Sequence, residues 1–474
     1  MPPPIATLLF AIGIAGLFYL DRDESARPSK ALWLPIIWLA TGGSRPVSEW
    51  LGMSLLSTIP GQLPQTSLLD QSVAGGLMLL GAIVLIRRRW KVPALLRASW
   101  PILLYFSFAL VSLAWSDFPG WGFKRWIRAL GDAIMALIVV TDAQPGAAFR
   151  RLYSRVGFFL LPLSVLFIRY YPKLGTSYDP WGVRENTGVT TDKNMLGILV
   201  FVIGLGALWQ VLSLLRDKEQ PHFRRRLLAQ GTLLAFGIDL LFTAHSATSG
   251  ACFILGAGLM LAIGRPVFRR GPAAVHVLVG TILLAGGLTV VLGGASDAAR
   301  TMGRDPTLTG RTEIWKTLIP LATNPIGGAG FETFWLGPRV ATFCTTMIMA
   351  GSLGCPHEAH DGYLEVYLQL GWIGVGLIAL ILGQAYRRAA GAFRHDPALG
   401  ALLVAYVVTA VAYNITEAGF RMLDPLWFFL LLSVVGANRI ISLGETRRRQ
   451  PRNSPAQASW FESSFPTVEM EVSR

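Results

Sequence analysis

The chain has 474 residues, of which 52% are hydrophobic and only 15% charged, and its mean hydropathy is +0.48. A soluble domain carries about 25% charged residues, and a soluble chain of this length would divide into domains joined by polar linkers. No such linker precedes the C-terminal tail, and the net charge of +14 comes with no basic face or binding motif, which excludes a soluble enzyme and a nucleic-acid binder.

Apolar blocks recur along the chain, close to the ~20 residues a helix needs to cross the hydrocarbon core. In order they cover 5–20, 30–43, 72–86, 99–115, 126–141, 154–170, 195–215, 227–243, 247–263, 273–294, 362–386, 398–413 and 425–441. The second and ninth are the weakest of the thirteen. The first has no basic n-region and no small-residue cleavage site, so it reads as a retained helix and not a removed signal. A helix satisfies its own backbone amides inside lipid. The expected class is therefore all-α, a polytopic transmembrane helical bundle of about 12–13 spans.

The charges fix an alternation. Arg87, Arg88, Arg89, Lys91 and Arg97 follow the third block, and Arg150, Arg151 and Arg155 the fifth. Arg224–Arg226, Arg265 with Arg269 and Arg270, Arg387 with Arg388 and Arg394, and Arg447–Arg449 with Arg452 follow the seventh, ninth, eleventh and thirteenth. Every strongly basic loop thus falls after an odd-numbered block, so one side of the membrane collects them, and the bias of Lys and Arg makes that side cytoplasmic. Residues 1–443 form one membrane domain in this reading. Residues 444–474, rich in Ser, Pro and Arg, form a disordered cytoplasmic tail.

The opposite, periplasmic side receives the polar loop 171–194, the long loop 295–361 and the turn 414–424. Trp315, Phe331, Phe334 and Trp335 give the long loop enough apolar surface to pack, so it is expected to be partly helical. Of the three cysteines, Cys252 lies within a block as a small packing residue. Cys344 and Cys355 lie in the outward loop, where a disulfide is permitted, and their spacing suits no zinc site.

These loops carry the chemistry-bearing residues. Arg184, Gly188 and the run Asp192-Lys193-Asn194 precede the seventh block; Thr309-Gly310-Arg311-Thr312-Glu313-Ile314-Trp315, Asn324-Pro325 and Gly327-Gly328-Ala329-Gly330-Phe331 lie in the long loop. That loop ends at His357-Glu358-Ala359-His360-Asp361-Gly362-Tyr363-Leu364. Arginines offer paired donors to a diphosphate, and helix starts offer free N–H groups. His360 sits at a helix start, where the macrodipole disfavours imidazolium, so a neutral, proton-accepting ring is expected. Each reading has a plainer rival. His360 is otherwise a structural histidine, Arg184 and Arg311 pair with Glu185 and Glu313, the glycines make a turn, and Lys193 and Asn194 cap a helix. Asp361 is expected as a helix cap. Asn414, Glu417 and Arg421 either contact sugar hydroxyls or form a salt-bridged turn, while His357, His245 and His276 read as structural.

At these residues the sequence resembles the bacterial O-antigen ligase and O-antigen polymerase family, including exopolysaccharide polymerases of the succinoglycan type. The matching pieces are Arg184 with Gly188, Asp192 through Gly197, Gly310 through Trp315, Asn324-Pro325 through Phe331, and His360 through Leu364 followed by Gly371–Gly374. One departure is Asp361, where many relatives carry Asn. The resemblance implies a fold like the C-type glycosyltransferases and an inverting, metal-independent transfer with no cofactor. It also implies an undecaprenyl-diphosphate-linked glycan as donor, with lipid A core or a growing polysaccharide as acceptor, in the bacterial inner membrane beside polysaccharide assembly proteins. Arg184 and Arg311 would hold the diphosphate, His360 would activate the acceptor hydroxyl, and Lys193, Asn194, Asp361, Tyr363 and Glu417 would contact substrate. A transporter or flippase for lipid-linked oligosaccharide is the alternative, but it would place ionisable residues at the membrane midplane. Here the blocks are poor in charge, with Asp132 and Asp239 the main exceptions. A non-catalytic assembly scaffold is a third reading, and it needs no Arg and His set.

Overall fold

The computed structural model describes residues 1–23, 26–53, 67–179, 182–265, 268, 272–291, 311–351, 355–356 and 358–449. All thirteen apolar blocks are helical: α1 (Pro3–Leu20), α2 (Trp33–Gly42), α3 (Leu68–Arg87), α4 (Trp100–Val111), α5 (Pro119–Val140), α6 (Pro145–Tyr170), α7 (Lys193–Arg216), α8 (Phe223–Ala244), α9 (Ala247–Ile263) and α10 (Pro272–Val291) precede the long loop. That loop contributes α11 (Arg311–Leu318) and α12 (Pro338–Met349), and α13 (Gly362–Phe393), α14 (Pro397–Tyr413) and α15 (Pro425–Arg449) follow it. Strands are confined, among the described residues, to the hairpin β1 (Thr176–Tyr178) and β2 (Arg184–Asn186), with Tyr178 opposite Arg184.

Seven helices are long and apolar enough by themselves to cross a membrane, and an eighth follows if the bent pair Val92–Ala98 and Trp100–Trp115 counts as one span. Four more apolar helices are shorter, among them Ala247–Ile263 and Pro397–Tyr413. The polytopic helical bundle is therefore observed, while length and composition alone support fewer crossings than the twelve or thirteen expected. The burial pattern sorts the helices. α7, α14 and α15 are packed on nearly all sides, whereas α1 and α3 expose most of their apolar surface. Such outer faces suit contact with lipid.

Contacts between loops sort the two ends. At one end Arg88 reaches Asp142 and the carbonyl of Ile138, Arg226 pairs with Asp23, Arg225 donates to the carbonyl of Tyr19, and Arg151 donates to that of Ala26. At the other end Arg45 donates to the carbonyls of Thr190 and Leu174, Ser116 bonds Thr333, and Thr248 bonds Thr416. The basic loops after the third, fifth and seventh blocks thus gather at one end, and contacts of the three polar loops gather at the other. Asp132 and Asp239 within the spans are both partnered: Asp132 accepts from Trp38 Nε1 at 2.8 Å and from the Leu423 amide at 3.0 Å, and Asp239 pairs with Arg169.

The long loop packs as expected. Its helices and the start of α13 share a second, small core of Ile314, Leu318, Phe334, Phe343, Cys344 and Leu368. Cys344 and Cys355 are bonded, with Cα atoms 4.9 Å apart. The glycine run docks this unit on the bundle. α13 is broken at Gly371 (φ 62°), and the freed carbonyls of Leu368 and Gln369 accept from the amides of Ala329 and Gly330 at 3.0 and 2.9 Å. In return the Pro325 carbonyl accepts from the Trp372 amide. A Cβ on Gly371 would lie 2.2 Å from the Ile326 backbone, so a side chain there is excluded sterically as well as by φ.

One expectation needs correction. The tail does not begin at 444, because α15 continues to Arg449, where Glu445 and the arginines are good helix formers. Gly327–Gly330 forms part of the turn expected as the plainer reading, and it serves docking. Residues 295–310, His357 and the tail beyond 449 lie outside the described residues.

Candidate active site

The site is built on the turn between α14 and α15. Asn414 ends α14 with its side chain turned back to accept from the Gly419 amide at 2.8 Å, while its carbonyl accepts from the Gly362 amide at 2.8 Å. A Cβ on Gly362 would sit 1.9 Å from Asn414 Oδ1, so glycine is what lets the start of α13 press against this turn. The same turn buries the Glu417 side chain to 4% exposure.

Glu417 gathers three elements. Its Oε1 takes Arg311 Nη2 from the first residue of α11 at 2.5 Å. Its Oε2 takes Asn194 Nδ2 from the first turn of α7 at 3.0 Å and lies 3.1 Å from His360 Nδ1. His360 Nδ1 also lies 3.0 Å from Glu358 Oε1, and Glu358 Oε2 accepts from Arg421 Nη1 at 2.6 Å. The result is a chain of alternating sign, Arg311–Glu417–His360–Glu358–Arg421. Arginines and carboxylates pair well in this way because each hydrogen bond is charge-assisted.

The backbone holds His360 in place from both sides. Its φ is +49°, a left-handed conformation that costs a non-glycine residue energy and persists only where neighbours impose it. The preceding peptide is clamped: the Ala359 amide donates to Glu365 Oε2 at 3.1 Å, and its carbonyl accepts from Trp315 Nε1 at 2.8 Å. The following residue, Asp361, caps α13 by accepting from the Leu364 amide at 2.8 Å. The capping role expected of Asp361 is observed.

The charge state of His360 is the reverse of the neutral ring expected. Burial does pull its pKa down, as the helix start would, but the carboxylates of Glu358 and Glu417 outweigh both and hold it well above the ordinary histidine value. Burial likewise raises Glu358, yet His360, Arg421 and Arg311 together hold it below the usual carboxylate range. Arg421 is driven down by burial and further up by Glu358 and its acidic neighbours, so it stays charged. At neutral pH the ring is an imidazolium between two carboxylates. The macrodipole, worth roughly 0.3–1 kcal/mol, loses to two adjacent negative charges.

Not all the expected residues join this chain. Arg311, Asn194, Glu417 and His360 do. Arg184 is exposed on β2 and has no ion pair among the described residues; only its neighbour Glu185 is tied to the site's edge, through Lys193 Nζ at 2.5 Å. Lys193 and Asn194 are not the caps of α7, a role taken by Asp192, which accepts from the Met195 amide. With Asp192 and Asp361 filling them, the two helix starts offer fewer free N–H groups than expected. The Tyr363 hydroxyl donates to the Val411 carbonyl at 3.2 Å and its ring packs on Phe420. Arg311 pairs with Glu417 and not with Glu313, which takes Lys316 instead. Glu358 escaped the sequence reading. Its signal was its place two residues before His360, and nothing local showed that Arg421 would meet it.

The ligand atoms of Glu358, His360 and Glu417 lie within 4.8 Å of one another, close enough to surround one cation. Each carboxylate already spends an oxygen on an arginine, and a metal would have to displace the proton on His360 Nδ1. The donor set therefore suits a cationic site for an anion better than a metal centre.

Residues 232–381 match the O-antigen ligase family model. Over that segment the chain is similar to the O-antigen ligase family. It is also 27% identical over 292 residues to the exopolysaccharide production protein ExoQ of Rhizobium meliloti (strain 1021). That match covers 60% of this chain and spans 64% of the length of that relative. The O-antigen ligase segment contains Arg311, Glu358 and His360, while Asn194, Glu417 and Arg421 lie outside it and are brought in by the fold.

Proposed function

We propose that the chain is a membrane glycosyltransferase of the O-antigen ligase and polymerase type, moving a glycan from a polyprenyl diphosphate, undecaprenyl in bacteria, to a saccharide hydroxyl. The carrying observation is the shared grip of Glu417 on Arg311 and His360. Residues far apart in sequence are held as a compact set of cations at the polar end of the bundle. Fixed cations are what a departing diphosphate needs, since its charge grows as the glycosidic bond breaks.

In this reading the acceptor oxygen attacks the anomeric carbon from the face opposite the diphosphate, so the configuration inverts. The new C–O bond forms as the bond from the anomeric carbon to the phosphate oxygen breaks, and the electron pair leaves with the lipid diphosphate. Arg311, Arg421 and the His360 imidazolium take up that charge, with Arg184 and Lys193 at the rim. The hydroxyl proton passes to the carboxylate pair Glu358 and Glu417, because a protonated His360 cannot accept it. The acceptor is lipid A core for a ligase and the growing chain for a polymerase of lipopolysaccharide or exopolysaccharide. The polar end faces the periplasm and the C-terminus the cytoplasm, which agrees with the arginine-rich loops at the other end and with a disulfide in an oxidising compartment.

Purified protein in lipid nanodiscs, given polyprenyl-diphosphate oligosaccharide and a saccharide acceptor, tests this. The expected result is transfer with inversion that a chelator does not slow. Products growing by whole repeats identify a polymerase, and one block moved to lipid A core a ligase. No transfer to either acceptor, or activity abolished by chelation and restored by a divalent ion, overturns the respective part.

A further inference from the structure

A second polar space lies beside the cluster, on the far side of the same turn. It is a partly open cavity of about 180 Å³ between the ends of α2 and α3, the middle of α5 and Leu423. Leu423 is two residues from Arg421, so one short turn forms a wall of this cavity and a member of the charged chain. Thr41, Ser44, Asp70 and Arg128 provide its polar lining, with Val73 and Ala74 on the same face of α3 as Asp70.

Arg128 is the anomaly. Its Nε is buried without a hydrogen-bond partner, and its guanidinium makes no ion pair among the described residues, although Asp70 and Asp132 both lie near enough to act on it. A buried, unsatisfied donor of this kind forfeits its hydration without replacement and calls for a partner. The remaining polar groups are acceptors. Asp70 takes the Ser48 hydroxyl and amide and keeps further lone pairs, while the Thr41 and Ser44 hydroxyls spend their protons on backbone carbonyls; Thr41 keeps its lone pairs, and Ser44 gives one to Trp50 Nε1 and keeps the other.

The ligand that satisfies one fixed donor and several fixed acceptors must both accept and donate. A phosphate only accepts, and would use Arg128 while facing the carboxylate of Asp70. A sugar ring, with hydroxyls that do both, uses the whole lining. We propose that this cavity is a binding subsite for a neutral sugar ring, belonging to the donor glycan or to the acceptor. Its assignment to the transfer reaction rests on the glycosyltransferase reading above; its chemistry does not.

The test is a thiol-protection measurement on full-length Thr41→Cys protein in nanodiscs. Cys252 is buried and Cys344 and Cys355 are bonded to each other, so the new thiol is the accessible one. The probes are the oligosaccharide released from the cell's own lipid carrier, the intact lipid-linked oligosaccharide, and inorganic pyrophosphate. Labelling by a small methanethiosulfonate should be slowed by the sugars and not by pyrophosphate. Arg128→Leu and Ala74→Trp, each placed in that background, should raise the half-protecting sugar concentration about tenfold or more, the loss expected for a hydrogen bond to a charged group, with Arg128→Lys between. Much stronger protection by the lipid-linked form assigns the donor glycan, and equal protection the acceptor. Protection by pyrophosphate alone overturns the proposal in favour of an anion site, and protection by none of the probes reduces the cavity to a water-filled space. Because the readout is binding, sugar protection without transfer activity would refute the transferase reading and leave this one standing.

Discussion

At the scale of single residues, the account turns on the charge of His360. A helix start argued for a neutral ring; the fold put it between two carboxylates that no sequence pattern places there. The consequence is a pH dependence. With its folded pKa raised above the ordinary value of about 6.5, His360 stabilises the fold fully below that value, and the contribution is lost as pH rises through the raised value. Transfer should therefore show no rise across the ordinary histidine range and decline only at alkaline pH. A rate that climbs through about pH 6.5 and vanishes in His360→Gln would mark His360 as the base. Arg311 and His360 were legible because their types and loop positions suit diphosphate chemistry. Glu358 and Arg421 were not, because an ion pair between residues 63 apart is written only in the fold.

At the scale of elements, the recurring apolar blocks located the helices of the bundle, since burial in lipid or in the bundle core demands the same side chains, and missed the short helices Val92–Ala98 and Pro338–Met349. It did not show that α13 is interrupted, because Gly371 sits in an otherwise uniform apolar run. The interruption is what docks the long loop and so aims Ala359 and His360. Gly371→Ala should lower the melting temperature, with a cost of at least about 1–3 kcal/mol from overpacking alone, and should reduce transfer by loosening the loop. An unchanged melting curve would show that the Ile326–Gly371 contact is dispensable.

At the scale of the whole molecule, the alternation of basic and polar loops read from the charges is repeated in the contacts that tie each end together. The number of crossings was less legible. α9 and α14 are shorter than a bilayer is thick, although α14 is well packed, and α5 carries Lys124, Arg125 and Arg128 in its first half. Single cysteines replacing Leu174 and Lys218 test the arrangement. In intact cells an impermeant maleimide should label the first and spare the second, and the opposite pattern would place the charged cluster in the cytosol.

The most direct test of the central claim is the initial rate of glycan transfer from polyprenyl-diphosphate oligosaccharide by Arg311→Ala, His360→Ala and the double variant. The account predicts that each single change lowers the rate by about 10²–10³-fold with membrane insertion intact. The double variant should fall little further, since residues acting as one unit are not additive. A wild-type rate from either single variant would contradict it.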